Sequence, residues 1–358
     1  MKVLFFTKYT RIGASSRLRT FQYLDYFEAN GLECTVSPFF NDRYLREVYK
    51  HKRHNKWLSA ISFSRRLLYL LQIWRYHYVI IEKELFPYFP AVFERILAFF
   101  GVRFGVDYDD AIFHNYDTSD SFVIRSLLKR KIETVMKQAA HVTVGNQYIA
   151  QKARFSNARK IVLLPTVIDT TKYTVKEYTD TKEFVIGWIG SPITQKYLGA
   201  LKPVFAKLAE KYPIKLHLIG AASGIGLHGV EKLIAWNEVN EANEIRQFNV
   251  GIMPLEDNIW ERGKCGYKLI QYMGSGVPVI GTPLGVNDEI IIDDWNGYKA
   301  NTIDEWINAI EKLITGGTEL EQKLGMNGRA LVEQKYSLQV ARETYLKLIL
   351  DQAGNKKK

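Results

Sequence analysis

The stretch Gly263–Thr282, GKCGYKLIQYMGSGVPVIGT, carries more structural information than any other part of the sequence. Gly263, Gly266, Gly274 and Gly276 bracket a short apolar helical pattern that starts near Tyr267, and Val277-Pro278-Val279-Ile280 then ends the helix and starts a strand. Glycines keep the backbone thin at the helix start. Backbone N–H groups there point outward with partial positive charge, which suits phosphate or sugar oxygens. Lys264 and Lys268, four residues apart, add mobile positive charge at the same end. Gln271, three residues beyond Lys268, has an amide able to bridge a vicinal diol such as a ribose.

Working outward, strand-like runs alternate with helical patterns throughout the chain. Lys2–Thr7, Cys34–Pro38, Tyr78–Ile81, Phe104–Asp107 and His141–Val144 read as buried strands. Phe184–Ile189, Leu216–Gly220, Val250–Met253 and Val279–Gly281 repeat the pattern, with helices expected at Lys196–Lys211, Lys268–Gly274 and Ile303–Ile314. Such alternation means parallel sheets covered on both faces. With 358 residues there is room for two α/β domains. The spacing predicts Rossmann-like doubly wound domains at 1–168 and 169–336, the polar segment Asp169–Thr181 serving as linker, and a final helix in 337–358 that packs back toward the first domain. Lys356–Lys358 read as a frayed tail.

A hydrophobic fraction of 47% and a charged fraction of 24% fit a globular protein and exclude a disordered one. Cys34 and Cys265 lie far apart with no CxxC spacing, which argues against a disulfide framework or zinc site and fits the cytoplasm. No secretory signal or transmembrane run is expected. The net charge of +11 is one-sided: residues 1–172 hold 27 basic and 15 acidic side chains, the remainder 22 and 23. That imbalance points to an anionic partner. Basic residues within 43–77 alternate with Trp57, Leu67, Leu68 and Trp74, which fits either peripheral contact with the inner membrane face or a packed helix with a charged outer side. No nucleic-acid-binding motif accompanies the charge.

The ending YMGSGVPVIGT resembles the donor-binding helix and strand of family-4 glycosyltransferases, which have the GT-B fold of two Rossmann-like domains facing across a cleft. That family carries Glu, seven residues, then Glu. Gly263 and Gln271 occupy those positions here, so the resemblance gives Gln271 the ribose and leaves the donor sugar open, with Glu261 a substitute acid. The segment VIGWIGSPITQK (Val185–Lys196) is similar to the family's diphosphate loop, placing Gly190, Ser191 and Lys196 at the donor. Gly13 and Arg17 stand in a loop that resembles the family's first glycine-rich loop, with Arg19 close by. HVTVGNQYIAQKAR and IVLLPTVID look like the close of the family's first domain.

Asp107-Tyr108-Asp109-Asp110 and His114 follow an apolar strand, where doubly wound folds place their sites. Three adjacent carboxylates suit a divalent cation. They equally suit a capping role for the next helix. The resemblance argues against a required metal and assigns Asp107 or Asp110, with His114 as partner, to the reacting sugar or acceptor. The expected site is therefore Gly13, Arg17, Gly190, Ser191, Lys196, Lys264, Gly266, Tyr267, Lys268 and Gln271 for the donor. Asp107, Asp110, His114, Lys196 and Lys268 are the expected catalytic residues. The resemblance implies transfer of a sugar, with retention, from a nucleoside diphosphate to a glycan or lipid-linked hydroxyl in cell-surface polysaccharide synthesis, with no cofactor. A nucleotide-sugar epimerase and an inactive nucleotide-sugar-binding module are the alternatives.

Overall fold

The computed structural model describes residues 1–51 and 56–354. The expected tail Lys356–Lys358, and part of the basic stretch 43–77, lie outside the described residues. The chain forms two compact units. One is Met1–Thr166 with the chain end from Ala341, and the other is Val167–Val340.

The first unit is built on a six-stranded sheet of β1 (Lys2–Thr7), β2 (Glu33–Pro38), β3 (Tyr78–Glu82), β4 (Phe104–Tyr108), β5 (His141–Val144) and β6 (Ile161–Leu163), in the order β2-β1-β3-β4-β5-β6. Every neighbouring pair is parallel. Leu4, Phe6, Val79, Ile81, Val106 and Val142 are buried in one cluster, which explains the unbroken apolar runs in these strands. The final helix, Leu338–Gly354, brings Tyr345 edge-on to Tyr23 and Phe27, at 5.3 and 5.4 Å between ring centroids. Burying one such aromatic contributes about 2–3 kcal/mol, enough to tie the chain end to this unit.

The second unit repeats the design with β7 (Phe184–Ile189), β8 (Ile214–Ile219), β9 (Glu231–Ile234), β10 (Val250–Met253), β11 (Val279–Gly281) and β12 (Gly297–Lys299), in the order β12-β11-β10-β7-β8-β9. All these pairs are parallel too. The two edge strands, β9 and β12, carry charged residues and no long apolar run, so periodicity passed over them.

Three local expectations need correction. The helix expected over Lys196–Lys211 is two helices, Lys196–Gly199 and Lys202–Lys211. Pro203 belongs in the first turn of the second, where its missing N–H costs nothing. The helix expected over Ile303–Ile314 runs on to Lys335, opened by a capping box between Thr302 and Glu305 and kinked at Gly317, whose φ is +60°. Finally, Asp169–Thr181 is not a free linker but packs within the second unit. Tyr173 is buried there, Lys176 pairs with Glu321, and the Tyr178 hydroxyl donates to the Gly276 carbonyl at 2.6 Å. Its aromatic residues give this polar stretch something to bury.

Candidate functional site

In the second unit, two stretches far apart in sequence meet at the carboxyl ends of β7 and β10. The Ile189 amide donates to the Tyr272 hydroxyl at 2.9 Å, and that hydroxyl donates to the Ile252 carbonyl at 3.3 Å. These bonds pin the helix Tyr267–Gly274 to both strands. The helix is capped by Gly266, at φ +65°. A Cβ there would also stand 2.7 Å from Ile290 Cδ1, so only glycine fits without strain.

Lys268, half-buried on the first turn of that helix, lies with its Nζ 4.5 Å from the centroid of the Trp188 ring. Among the described residues it makes no ion pair. Burial, followed by the neighbouring charge of Lys264, lowers its pKa to about 7, against a smaller upward pull from Glu261. An amine in this state gains from an incoming anion. Lys264 sits with its Nζ 5.9 Å from the Trp260 ring.

Glu261 is buried just upstream, on the 3-10 turn Glu261–Gly263. Its Oε1 accepts from the Tyr197 hydroxyl at 2.6 Å, while Oε2 has no hydrogen-bond partner among the described residues. Tyr197 adjoins Lys196, which is exposed and has its Nζ 4.9 Å from the Tyr197 ring. Gly190 passes so close to Trp188 that a Cβ would meet its ring at 2.4 Å. Ser191 is exposed, and its carbonyl accepts from the amides of Thr194 and Gln195. The two donor segments expected from sequence are thus joined through Trp188, Tyr197 and Glu261.

Gln271 lies deeper, 3% exposed, with its Nε2 donating to the Tyr173 hydroxyl at 2.8 Å. Tyr173 donates in turn to Glu241 at 2.6 Å, and the Trp236 indole donates to the other Glu241 oxygen at 2.7 Å. Sequence reasoning missed this chain, and it missed Trp188 and Tyr197 as well. The apolar character of Tyr173 and Trp188 marks them only as core residues.

In the first unit Asp107, Asp110 and His114 are engaged with other side chains of that unit. Arg19 is fully buried and grips Asp107 in a fork, Nε to Oδ2 at 2.9 Å and Nη2 to Oδ1 at 2.6 Å. Thr143 donates to the same carboxylate, so Asp107 holds the sheet and the helix Ala14–Arg19 together rather than facing a ligand. Lys83 joins Asp109 at 2.9 Å and Asp110 at 3.3 Å. His114 spends both ring nitrogens, on Asp117 at 2.8 Å and on the Tyr148 hydroxyl at 2.8 Å. Arg17 is buried, and Gly13 is required because a Cβ would meet Tyr9 Cβ at 2.4 Å. The carboxylates of Asp107, Asp109 and Asp110 meet the cationic side chains of Arg19 and Lys83. Among the described residues no group of three or more His, Cys, Asp or Glu is placed to hold a metal ion.

Residues 183–316, all in the second unit, match the family model described as glycosyl transferases group 1. No curated protein matches the chain in sequence. In structure the chain is similar to a sucrose-phosphate synthase from Thermosynechococcus elongatus, at 11% identity and TM-score 0.72, over 99% of this chain and 100% of that one. It is also similar to Alr3699/HepE from Anabaena in complex with UDP, at 13% identity and TM-score 0.73, over 98% and 100%. A third likeness is to WaaB, a lipopolysaccharide outer core galactosyltransferase, at 13% identity and TM-score 0.63, over 98% and 100%. The structural likenesses give the whole chain the two-domain α/β GT-B fold. The family match makes residues 183–316 a glycosyltransferase domain, and the chain an enzyme of glycosyl transfer.

Proposed function

We propose that this chain moves a sugar from a nucleoside-diphosphate donor to a hydroxyl of a glycan or lipid-linked acceptor, as a family-4 enzyme acting with retention. The observation that carries the proposal is Lys268: a half-buried amine over Trp188, without an ion pair, at the N-terminal turn of a helix whose amides face the same way. The match of residues 183–316 to a glycosyltransferase domain supports it. So does the complex of the like-folded HepE with UDP.

In this reading Lys268, Lys264 and Lys196 surround the diphosphate, with Ser191, Gly190, Gly266 and Tyr267 lining its approach. Gln271 takes the ribose. Its amide has two N–H donors and a carbonyl, so the one bond to Tyr173 leaves capacity for a diol. Glu261, two residues before the position of the family's usual acid, offers Oε2 to a hydroxyl of the donor sugar. As the bond from the anomeric carbon to the diphosphate breaks, negative charge builds on the leaving oxygen. Lysines already in place lower that barrier. The acceptor oxygen bonds to the anomeric carbon, and its proton passes to the departing phosphate. Gly13, Arg17, Asp110 and His114 belong to the acceptor side. The likeness to the lipopolysaccharide outer core galactosyltransferase WaaB favours a cell-surface glycan as the product.

Two measurements test this. Thermal-shift screening with UDP-, GDP- and dTDP-sugars identifies the donor, because a ligand that binds the native state raises apparent stability. A transfer assay with that donor then gives, by NMR, a product with the donor's anomeric configuration. A donor that is consumed with no acceptor present, and emerges as its epimer, overturns the proposal.

A further inference from the structure

An apolar groove of about 320 Å³ opens on the first unit, formed by segments that lead into the amino ends of β3 and β4 and lined by Leu67, Leu68, Leu71, Trp74, Ile96 and Phe100 among others. It lies between the end of the helix Lys56–Leu70, the 3-10 turn Ile73–Arg75 and the helix Val92–Phe99. These side chains are open to solvent to a degree that folding alone does not explain: Leu71 is 77% exposed, Trp74 64% and Phe99 85%. Trp74 and Phe100 meet edge to face at 6.3 Å, and Phe99 packs on Phe100 at 5.3 Å. The face is therefore a continuous apolar surface and not a scatter of single residues.

Within the span that forms it, the charges that reach solvent have one sign. Between residues 57 and 103 the charged side chains that reach solvent are Arg65, Arg75, Arg95 and Arg103. The three acids in that span, Glu82, Glu84 and Glu94, are all buried. Glu84 is held by Lys131, and Glu94 accepts from the Leu85 amide at 3.3 Å.

We infer that this face docks on an anionic phospholipid surface. Tryptophan and phenylalanine enter the headgroup–acyl boundary, where an apolar ring and a polar rim are both satisfied. Arginines at the rim meet lipid phosphates, and with every acid in the span buried no exposed carboxylate there repels them. A protein partner of ordinary composition would supply charges of both signs, whereas the charges this span exposes are all positive. The inference deepens the lipid-linked acceptor reading and rests on it for its purpose, since docking would hold the enzyme beside such an acceptor.

The test is flotation of the full chain with vesicles of equimolar phosphatidylglycerol and phosphatidylcholine, and with vesicles of phosphatidylcholine alone. The wild type is expected to float with the anionic vesicles. Trp74→Glu combined with Phe99→Glu should lower the partition coefficient at least about tenfold. Arg75→Gln with Arg95→Gln, or raised salt, should lower it several-fold. The substituted side chains are exposed, so an unchanged melting temperature serves as the folding control. Equal flotation of wild type and the Trp74→Glu, Phe99→Glu variant overturns the inference. So does a wild type that sediments as a dimer without vesicles and becomes a monomer in that variant, because the face would then cover a second copy. Transfer to a soluble acceptor, measured in parallel, keeps the two readings apart. Retained transfer without flotation removes the docking alone, and flotation without transfer removes the glycosyl reading alone.

Discussion

The two units place ionisable side chains at the same part of the same kind of sheet, yet treat them in opposite ways. At the strand ends of the first unit most charges are closed on one another. Arg19 forks onto Asp107, Lys83 joins Asp109 and Asp110, and Lys131 pairs with Glu84. The exception is Glu82, buried at the end of β3, which among the described residues accepts only from the Ser15 and Ser16 hydroxyls and the Lys8 amide. At the strand ends of the second unit Lys268 has an aromatic ring beneath it and no ion pair among the described residues, and Glu261 keeps one buried oxygen unpartnered. In a closed network each buried charge has its counter-charge, so removing one partner leaves the other unpaired. An open one is costly until a ligand supplies the missing partner. In the proposed reading, that difference is why the second unit's strand ends receive the anionic donor.

The largest effect that would break this contrast is in the closed network. Arg19→Ala leaves Asp107 buried without its partner, so chemical denaturation should show a loss of about 3–5 kcal/mol. A loss below about 1 kcal/mol would mean that the first unit's charges are not structural. Lys268→Met should do the reverse. It removes a cation that burial penalises, so the melting temperature should hold or rise, while turnover falls about 10²- to 10³-fold as for loss of one transition-state donor. Unchanged turnover would end the comparison.

The pH dependence sharpens it further. Folding lowers the Lys268 pKa from 10.5 to about 7, so between those values the folded protein binds fewer protons than the unfolded chain. From this group alone, stability therefore rises with pH across that window. A bound diphosphate favours the charged amine and reverses the shift. The diphosphate of a UDP-sugar keeps its charge across this range. From this group alone, affinity for a UDP-sugar should thus be level below pH 7 and fall above it, by up to about tenfold per pH unit, with up to one proton taken up on binding. Calorimetry in buffers of different ionisation enthalpy measures that uptake, and Lys268→Met should abolish it. The smallest effect belongs to Glu261→Gln. Glu261 raises the Lys268 pKa, so removing its charge should move the midpoint of this pH dependence downward by less than about one unit.

Much of the fold was legible because period and punctuation are local. Strands buried on both faces read as apolar runs, and the glycines around Tyr267–Gly274 marked where a helix begins and ends. Strand β9 escaped because its residues are half-buried or exposed and carry a weak pattern, and β12 because three residues, though mostly buried, are too few to show a period. At the candidate site the spacing of Lys264 and Lys268 suggested an anion site, and Lys196 was expected only from the resemblance of its segment to a family loop. The sequence had no means of pairing Tyr197 with Glu261 or Gln271 with Tyr173, which stand 64 and 98 residues apart. Asp107 shows the same limit in the other direction. Its place after a buried strand is a good signal for a site, but its partner Arg19 lies 88 residues away, and that partner makes it structural.

The sequence by itself determined the parallel α/β design, the division into two halves, the excess of positive charge in the first, and a cluster of glycines and lysines suited to phosphate. All of these are properties of neighbours along the chain. Tertiary structure alone decided which charges are spent and which are open, because a charge is neutralised by whatever lies within a few ångströms of it in space. It also decided that the apolar residues around Trp74 and Phe99 stay uncovered while the acids in the same span are buried.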